Sequence, residues 1–287
     1  MIDAGSDPVA RVVTFYSYKG GVGRTMAVAN VASWLVNEAH KRVFLIDFDL
    51  EAPGLSYYAR HTPLAPFLPH RGLVELLTRY RETAELPDLG EYVIREDSPR
   101  LGGGTLTMLS AGLDQGPEYA AALAQLDWGE LYESGFGFEF MEYLRERILQ
   151  EFEPDIVLID SRTGLHGIGT IAVQHLPDLV VLPFNLSRQS IAGTRQVLAG
   201  IEASPYQHET GRTISTLLVA SPVYDPDSEP ARAAIRRAEA ELGRRIELRV
   251  PYSGAAAYEE RWWSLDSREA PEALLRAYAQ IGQRLVT

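Results

Sequence analysis

The run Tyr16-Ser17-Tyr18-Lys19-Gly20-Gly21-Val22-Gly23-Arg24-Thr25 joins a β-rich segment, Arg11-Val12-Val13-Thr14-Phe15, to a helical one, Met26 to His40. Strand, glycine-rich turn and helix in that order form a loop that cradles phosphate. Glycines let successive backbone N–H groups point at one anion, because no Cβ blocks the approach. The helix that follows turns its positive dipole end to the same anion. Thr25 stands where a hydroxyl can reach a magnesium ion. The run therefore predicts a nucleoside triphosphate site. Against the general pattern GxxxxGK[ST], two positions depart: Tyr18 replaces the first glycine and Arg24 the lysine.

Working outward, apolar strand-like runs alternate with helical ones. Strands are expected near 11–17, 42–48, 104–110, 155–160, 178–184, 213–221 and 246–250. Helices are expected near 24–39, 72–83, 117–126, 137–152, 188–203, 229–242 and 270–285. The first helix carries Val28, Val31, Ala32, Leu35 and Val36 on a 3.6-residue period. Ile156-Val157-Leu158-Ile159 and Leu179-Val180-Val181-Leu182 are continuous apolar runs, as in strands covered on both faces of a parallel sheet. Alternation of this kind predicts a doubly wound α/β fold with a mostly parallel central sheet flanked by helices. No break in composition divides the chain, so one domain over 1–287 is expected, with 1–10 a flexible lead. The least regular parts are 55–103 and 111–136.

Two further motifs end strands in acid. Val43-Phe44-Leu45-Ile46 runs into Asp47, and Asp49 and Glu51 follow at the same parity. Acids at the carboxyl end of a parallel strand face the ligand crevice, where they hold a metal's waters or orient an attacking water. Ile156-Val157-Leu158-Ile159 likewise runs into Asp160, which places a carboxylate beside magnesium.

Composition excludes other chemistries. The 287 residues contain no cysteine, so disulfides, thiolate metal sites and iron–sulfur clusters are ruled out. His40, His61, His70, His166, His175 and His208 are scattered without ligand spacing. A net charge of −12 argues against broad coating of nucleic acid. No apolar run is long enough to span a bilayer and residues 1–10 do not read as a signal peptide, so a cytoplasmic protein is expected. The chain has two lysines, Lys19 and Lys41, among 27 basic residues. Where arginine is the habitual cation, Lys19 marks a position that wants a compact ammonium.

Read as KGGxGxT, the loop resembles the deviant Walker A motif of the ParA/MinD family of P-loop ATPases, in a KGGVGR variant form. Three motifs carry the resemblance, which runs from about 11 to 285. It implies ATP and Mg2+ as ligands, with Lys19, Gly20, Gly21, Val22, Gly23, Arg24, Thr25 and Met26 around the phosphates. It assigns the metal to Thr25, Asp47 and Asp160 and the hydrolytic water to Asp49. Lys19, Asp49 and Arg24 become the catalytic set. Gly164, in the loop after Asp160, would turn its N–H to the γ-phosphate. Ser221-Pro222 and Pro251-Tyr252 would surround the base. Lys19 would cross to a partner subunit's nucleotide, giving a homodimer in the ATP state, a slow ATPase switch acting on a partner protein.

Arg24 leaves two outcomes open: it leans outward to the phosphates from the rim and slows hydrolysis, or Lys19 supplies most of the charge. The alternative to a slow ATPase is a non-hydrolysing nucleotide-binding module. Arg162 is either a charge-stabilising arginine or a salt-bridging loop residue. A tyrosine kinase of related fold ranks behind both, since Tyr278 alone lies in the last twenty residues. Arg232, Arg236, Arg237, Arg244, Arg245 and Arg249 form a late basic cluster, but interleaved Glu229, Glu239, Glu241 and Glu247 favour a salt-bridged face over DNA binding. The terminal helix carries Leu274, Leu275, Tyr278, Ile281 and Leu285, read as core packing rather than a membrane grip.

Overall fold

Val12-Val13, Phe44-Leu45-Ile46, Val157-Leu158-Ile159 and Val180-Val181-Leu182 are apolar at consecutive positions, so each strand must be covered on both faces. The computed structural model describes residues 10–60, 71–96, 103–112, 116–163, 168–258, 261–262 and 271–287. Its strands are β1 (Arg11–Phe15), β2 (Arg42–Phe48), β3 (Val93–Glu96), β4 (Thr105–Leu109), β5 (Ile156–Ser161), β6 (Leu179–Phe184), β7 (Ser215–Val223) and β8 (Leu248–Pro251). These eight form a single sheet in the order β3-β4-β2-β5-β1-β6-β7-β8. All pairings are parallel except β3 with β4. The antiparallel edge strand β3 is a departure from expectation. At four residues it is too short to display a period.

Two faces of the sheet build separate cores. One parity of strand residues, with Val13, Phe15, Val43, Leu45 and Leu158, packs against α1 (Arg24–Asn37) and α11 (Glu272–Val286). The other, with Val12, Phe44, Ile46, Val157 and Ile159, packs against α3 (Leu73–Thr83), α6 (Phe136–Phe152) and α7 (Ile168–Gln174). Beyond β1 the second face continues under α8 (Arg188–Glu202) and α10 (Glu229–Leu242). Helix α1 is buried nearly all round, not only along its expected stripe, because α11 covers its outer side. Gly282 of α11 lies against the Trp34 ring of α1, and the Trp262 indole N–H donates to the Ala29 carbonyl. The terminal helix and Trp262 thus complete the core. Trp263 lies outside the described residues. Short helices α2 (Leu55–Arg60), α5 (Trp128–Glu133) and α9 (Tyr206–Thr210) depart from the sequence expectation, as does α7; each is under two full turns long. The remaining helix, α4 (Pro117–Ala124), falls where the sequence predicts it.

Strand order places the loops. β1 lies between β5 and β6, and the chain leaves β1 towards β2 on one side and returns from β5 to β6 on the other. That reversal opens a crevice at the carboxyl ends of the central strands. The ends of β2, β5 and β1 are neighbours there, so their three terminal motifs meet.

Candidate functional site

The loop after β1 surrounds an open cleft of about 810 Å³. Gly21 and Gly23 both take φ of +74°, the left-handed region that side chains avoid. A Cβ on Gly20, Gly21 or Gly23 would meet nothing within 4 Å, so all three face free space. Gly23 is the N-cap of α1; no side chain caps the helix and no acid stands in its first turn. An N-terminus left open in this way favours an anion. The Ser221 hydroxyl donates to the Val22 carbonyl at 2.8 Å, fastening the loop to β7. Tyr18 covers Gly193 of α8, and the Lys19 ammonium donates to Gln189 in the first turn of the same helix.

Opposite the loop stand the acids. Asp47 and Asp160 are direct partners across β2 and β5 and both are fully buried. Asp47 accepts from the backbone N–H of Leu55 at 3.0 Å and of Asp49 at 3.3 Å, so it organises the loop that carries Asp49. Tyr119 supports that loop from behind, donating its hydroxyl to the Leu50 carbonyl at 2.7 Å. Burial, then repulsion from Asp160, holds the Asp47 carboxyl well above the ordinary carboxylate range, against the Leu55 and Asp49 N–H groups. Burial also raises Asp160, against the pull of Arg24 and the Thr25 hydroxyl.

Arg24 takes a position the sequence reading did not foresee. Its guanidinium does not lean outward to the rim. It turns inward, Nε donating to Asp160 Oδ1 at 2.6 Å and Nη2 to Asp49 Oδ2 at 2.7 Å. Arg24 is 8% exposed and Asp49 14%. Burial opposes its charge, but Asp160 and Asp49 together keep it more firmly protonated than a free arginine. One fork therefore bridges the acids of two motifs, with separate N–H groups of the planar guanidinium aimed at each carboxylate.

The donor set suits magnesium. Asp160 Oδ2 is buried without a hydrogen-bond partner, and Thr25 stands beside that carboxylate. Among the described residues no group of three or more His, Asp or Glu side chains is arranged to hold a metal alone. Magnesium usually takes one or two carboxylates and completes its shell with water and phosphate, so a partial set is what it requires.

A second cavity of about 290 Å³ adjoins the first and shares Gly21, Val22, Gly23 and Met26 with it. Its far wall is Ser221, Pro222, Pro251 and Tyr252, so the two segments that the sequence nominated for a base lie together beside the loop. Tyr224 stacks on Tyr252 with ring centroids 4.5 Å apart. Gly164 lies outside the described residues. Arg162 pairs with Glu51, the salt-bridging outcome of the two expected. Sequence reasoning missed Ser17, Tyr58, Thr163 and Tyr258 on the cleft wall. Ser17 and Thr163 sit inside or next to recognised motifs; nothing in the sequence marks Tyr258, which arrives on the loop after β8.

The late basic cluster is largely paired. Arg232 and Arg236 bind Glu229, Arg237 donates to the Leu186 carbonyl and Arg244 to Thr216. Among the described residues no helix is long and apolar enough to cross a membrane.

A parallel sheet with this loop at its switch point, facing two strand-terminal aspartates, is the architecture of a P-loop nucleoside triphosphatase. The sequence matches no family model and no curated protein. Solved structures do match. A ParA family ATPase from Chlorobium tepidum TLS superposes with a TM-score of 0.67 at 18% identity, over 96% of this chain and 99% of that one. The ATP complex of a McdA variant from Cyanothece gives 0.68 at 16% identity, over 98% and 97%. MinD in the MinC:MinD cell division complex of Aquifex aeolicus gives 0.67 at 19% identity, over 96% and 95%. The fold of this chain is that of the ParA/MinD-type P-loop ATPases.

Proposed function

We propose that the chain is an ATP-dependent switch: it binds Mg-ATP in the cleft, pairs face to face with a second copy in that state, hydrolyses slowly and then releases. The observation that supports this most strongly is the open glycine loop and uncapped α1 facing Asp160 and Thr25 across one cleft. Backbone N–H groups from Gly20 to Met26 bind the phosphates. Thr25 and Asp160 hold the magnesium, with Asp47 behind them fixing the loop. When bound, magnesium supplies charge that neutralises the phosphate oxygens. Asp49 orients the attacking water. Ser221, Pro222, Pro251 and Tyr252 hold the base. Lys19 swings from Gln189 to the partner subunit's nucleotide, so subunits attract one another only while a triphosphate is present. The MinC:MinD complex is a precedent for a fold of this type engaging a different protein, and we assign this chain a partner protein rather than DNA or membrane as its target.

Light scattering with ADP and with ATP tests the switch. A dimer with ATP and a monomer with ADP is expected, and Lys19→Ala remains monomeric in both. A chain that binds ATP tightly yet stays monomeric refutes pairing. One observation favours a non-hydrolysing module instead: Arg24 holds Asp49, the residue assigned to the water. Phosphate release over hours decides. A rate above that of Asp49→Ala supports hydrolysis, and an equal rate supports the module.

A further inference from the structure

One cation serves two places in the cleft. Arg24 is the first residue of α1 and stems from the phosphate loop, yet its guanidinium lies on Asp160 at 2.6 Å and Asp49 at 2.7 Å. Asp160 is the carboxylate assigned to the metal and Asp49 the one assigned to the water. Two carboxylates share one guanidinium, and Asp47 stands beside Asp160 in register. Asp160 Oδ2 has no hydrogen-bond partner although it is buried, so the fork leaves a site half satisfied. A buried carboxylate without a counter-ion is costly, and Arg24 is the cation that the fold supplies to this pair.

We propose that Arg24 is a tethered counter-ion that blocks divalent cations from Asp160 until a polyphosphate draws the guanidinium away, so that metal and triphosphate enter together. The exchange conserves charge: the guanidinium moves from carboxylate to phosphate oxygen, both acceptors it binds well, and the vacated Asp160 would take the metal that the phosphates bring. Arg24 thereby acts as a positioning residue that couples two ligands through one side chain. The inference rests on the assignment of the loop to a polyphosphate.

Mn2+ binding to the full chain, followed by electron paramagnetic resonance without nucleotide, tests it. The wild type is expected to bind Mn2+ weakly. Arg24→Met is expected to bind it more tightly, by roughly 5- to 150-fold, the usual range for coupled sites. The gain should vanish in Arg24→Met/Asp160→Asn, and inorganic tripolyphosphate should bring Mn2+ onto the wild type as a protein-bound signal distinct from that of Mn2+ and tripolyphosphate without protein. Equal Mn2+ affinity in wild type and Arg24→Met overturns the proposal, as does a gain that survives Asp160→Asn or a wild type indifferent to tripolyphosphate. Should Arg24→Met not fold, Arg24→Gln replaces it: its neutral amide cannot serve as the counter-ion, so a gain supports the proposal and no gain overturns it. Binding of a fluorescent ATP analogue with saturating Mg2+ reads the nucleotide site. Its absence refutes the polyphosphate assignment, whereas its presence with unchanged Mn2+ affinity in Arg24→Met refutes only the role given to Arg24.

Discussion

Gly193→Ala should destabilise the wild type yet stabilise a chain lacking the Tyr18 ring. Gly193 is buried in the second turn of α8, and a methyl there would overlap Cγ, Cδ1 and Cε1 of Tyr18. Those atoms lie at the base of the ring, so the side chain must change rotamer rather than flex. Tyr18 is half-buried against the core under α8. Removing part of an aromatic surface from that contact costs about 1–2 kcal/mol at roughly 25 cal/mol per Å². Alanine in place of glycine within a helix returns about 0.5–1 kcal/mol. The net effect in the wild type is a loss of about 1 kcal/mol. In a Tyr18→Ala background the overlap is gone, and the same substitution should gain about 0.5–1 kcal/mol. The coupling is then the overlap cost itself, about 1–2 kcal/mol, within the range for side chains in contact. Urea unfolding of the four proteins measures it. Because Tyr18 precedes Lys19, Gly193→Ala should also weaken ATP binding. If Gly193→Ala has the same effect in both backgrounds, Tyr18 does not rest on α8 and the anchoring of the loop there is wrong.

Two further outcomes follow from the charges. Asp47 has its carboxyl raised by burial and by Asp160, so its ionisation costs stability increasingly as pH climbs from the ordinary carboxylate range through the raised value. Asp47→Asn in metal-free buffer should therefore stabilise the protein at about pH 8 and give little at about pH 4; a loss at the higher pH in urea titrations would show that the two backbone contacts outweigh the charge. On the far side of the sheet, Glu142 accepts from His175 Nε2 at 2.9 Å and from Arg212 Nη1 at 2.8 Å. Burial alone would raise its pKa, but the hydrogen bonds from Arg212 and His175 bring it down to about 2. Its contribution is complete above 4.5 and is lost as pH falls towards 2. Glu142→Gln should be less stable at about pH 6 and should flatten the acid limb between those values; a limb with unchanged slope would exclude Glu142 as its source.

The sheet and its loops were legible because their signals are local and long. Continuous apolar runs ending in Asp47 and Asp160 locate β2 and β5, and the glycines of 20–23 locate the turn. A period needs several turns to show, so α2, α5 and α7 stayed hidden, as did the four-residue β3. The pairing of Arg162 with Glu51 joins residues 111 apart in sequence, and only the folded strand order brings them together. The spacing of motifs told which acids face a crevice but not what they hold.

Sequence by itself determined that a phosphate-type loop leads a parallel α/β sheet, because backbone freedom at glycine and two-sided apolar burial are properties of short segments. Tertiary structure alone decided the state of the cations. Arg24 lies beside the phosphate loop in sequence, yet it reaches Asp160 because β5 inserts between β1 and β2 and carries that carboxylate under the start of α1. Where a guanidinium settles depends on the sum of charges around it in three dimensions, and no reading of neighbours along the chain contains that sum.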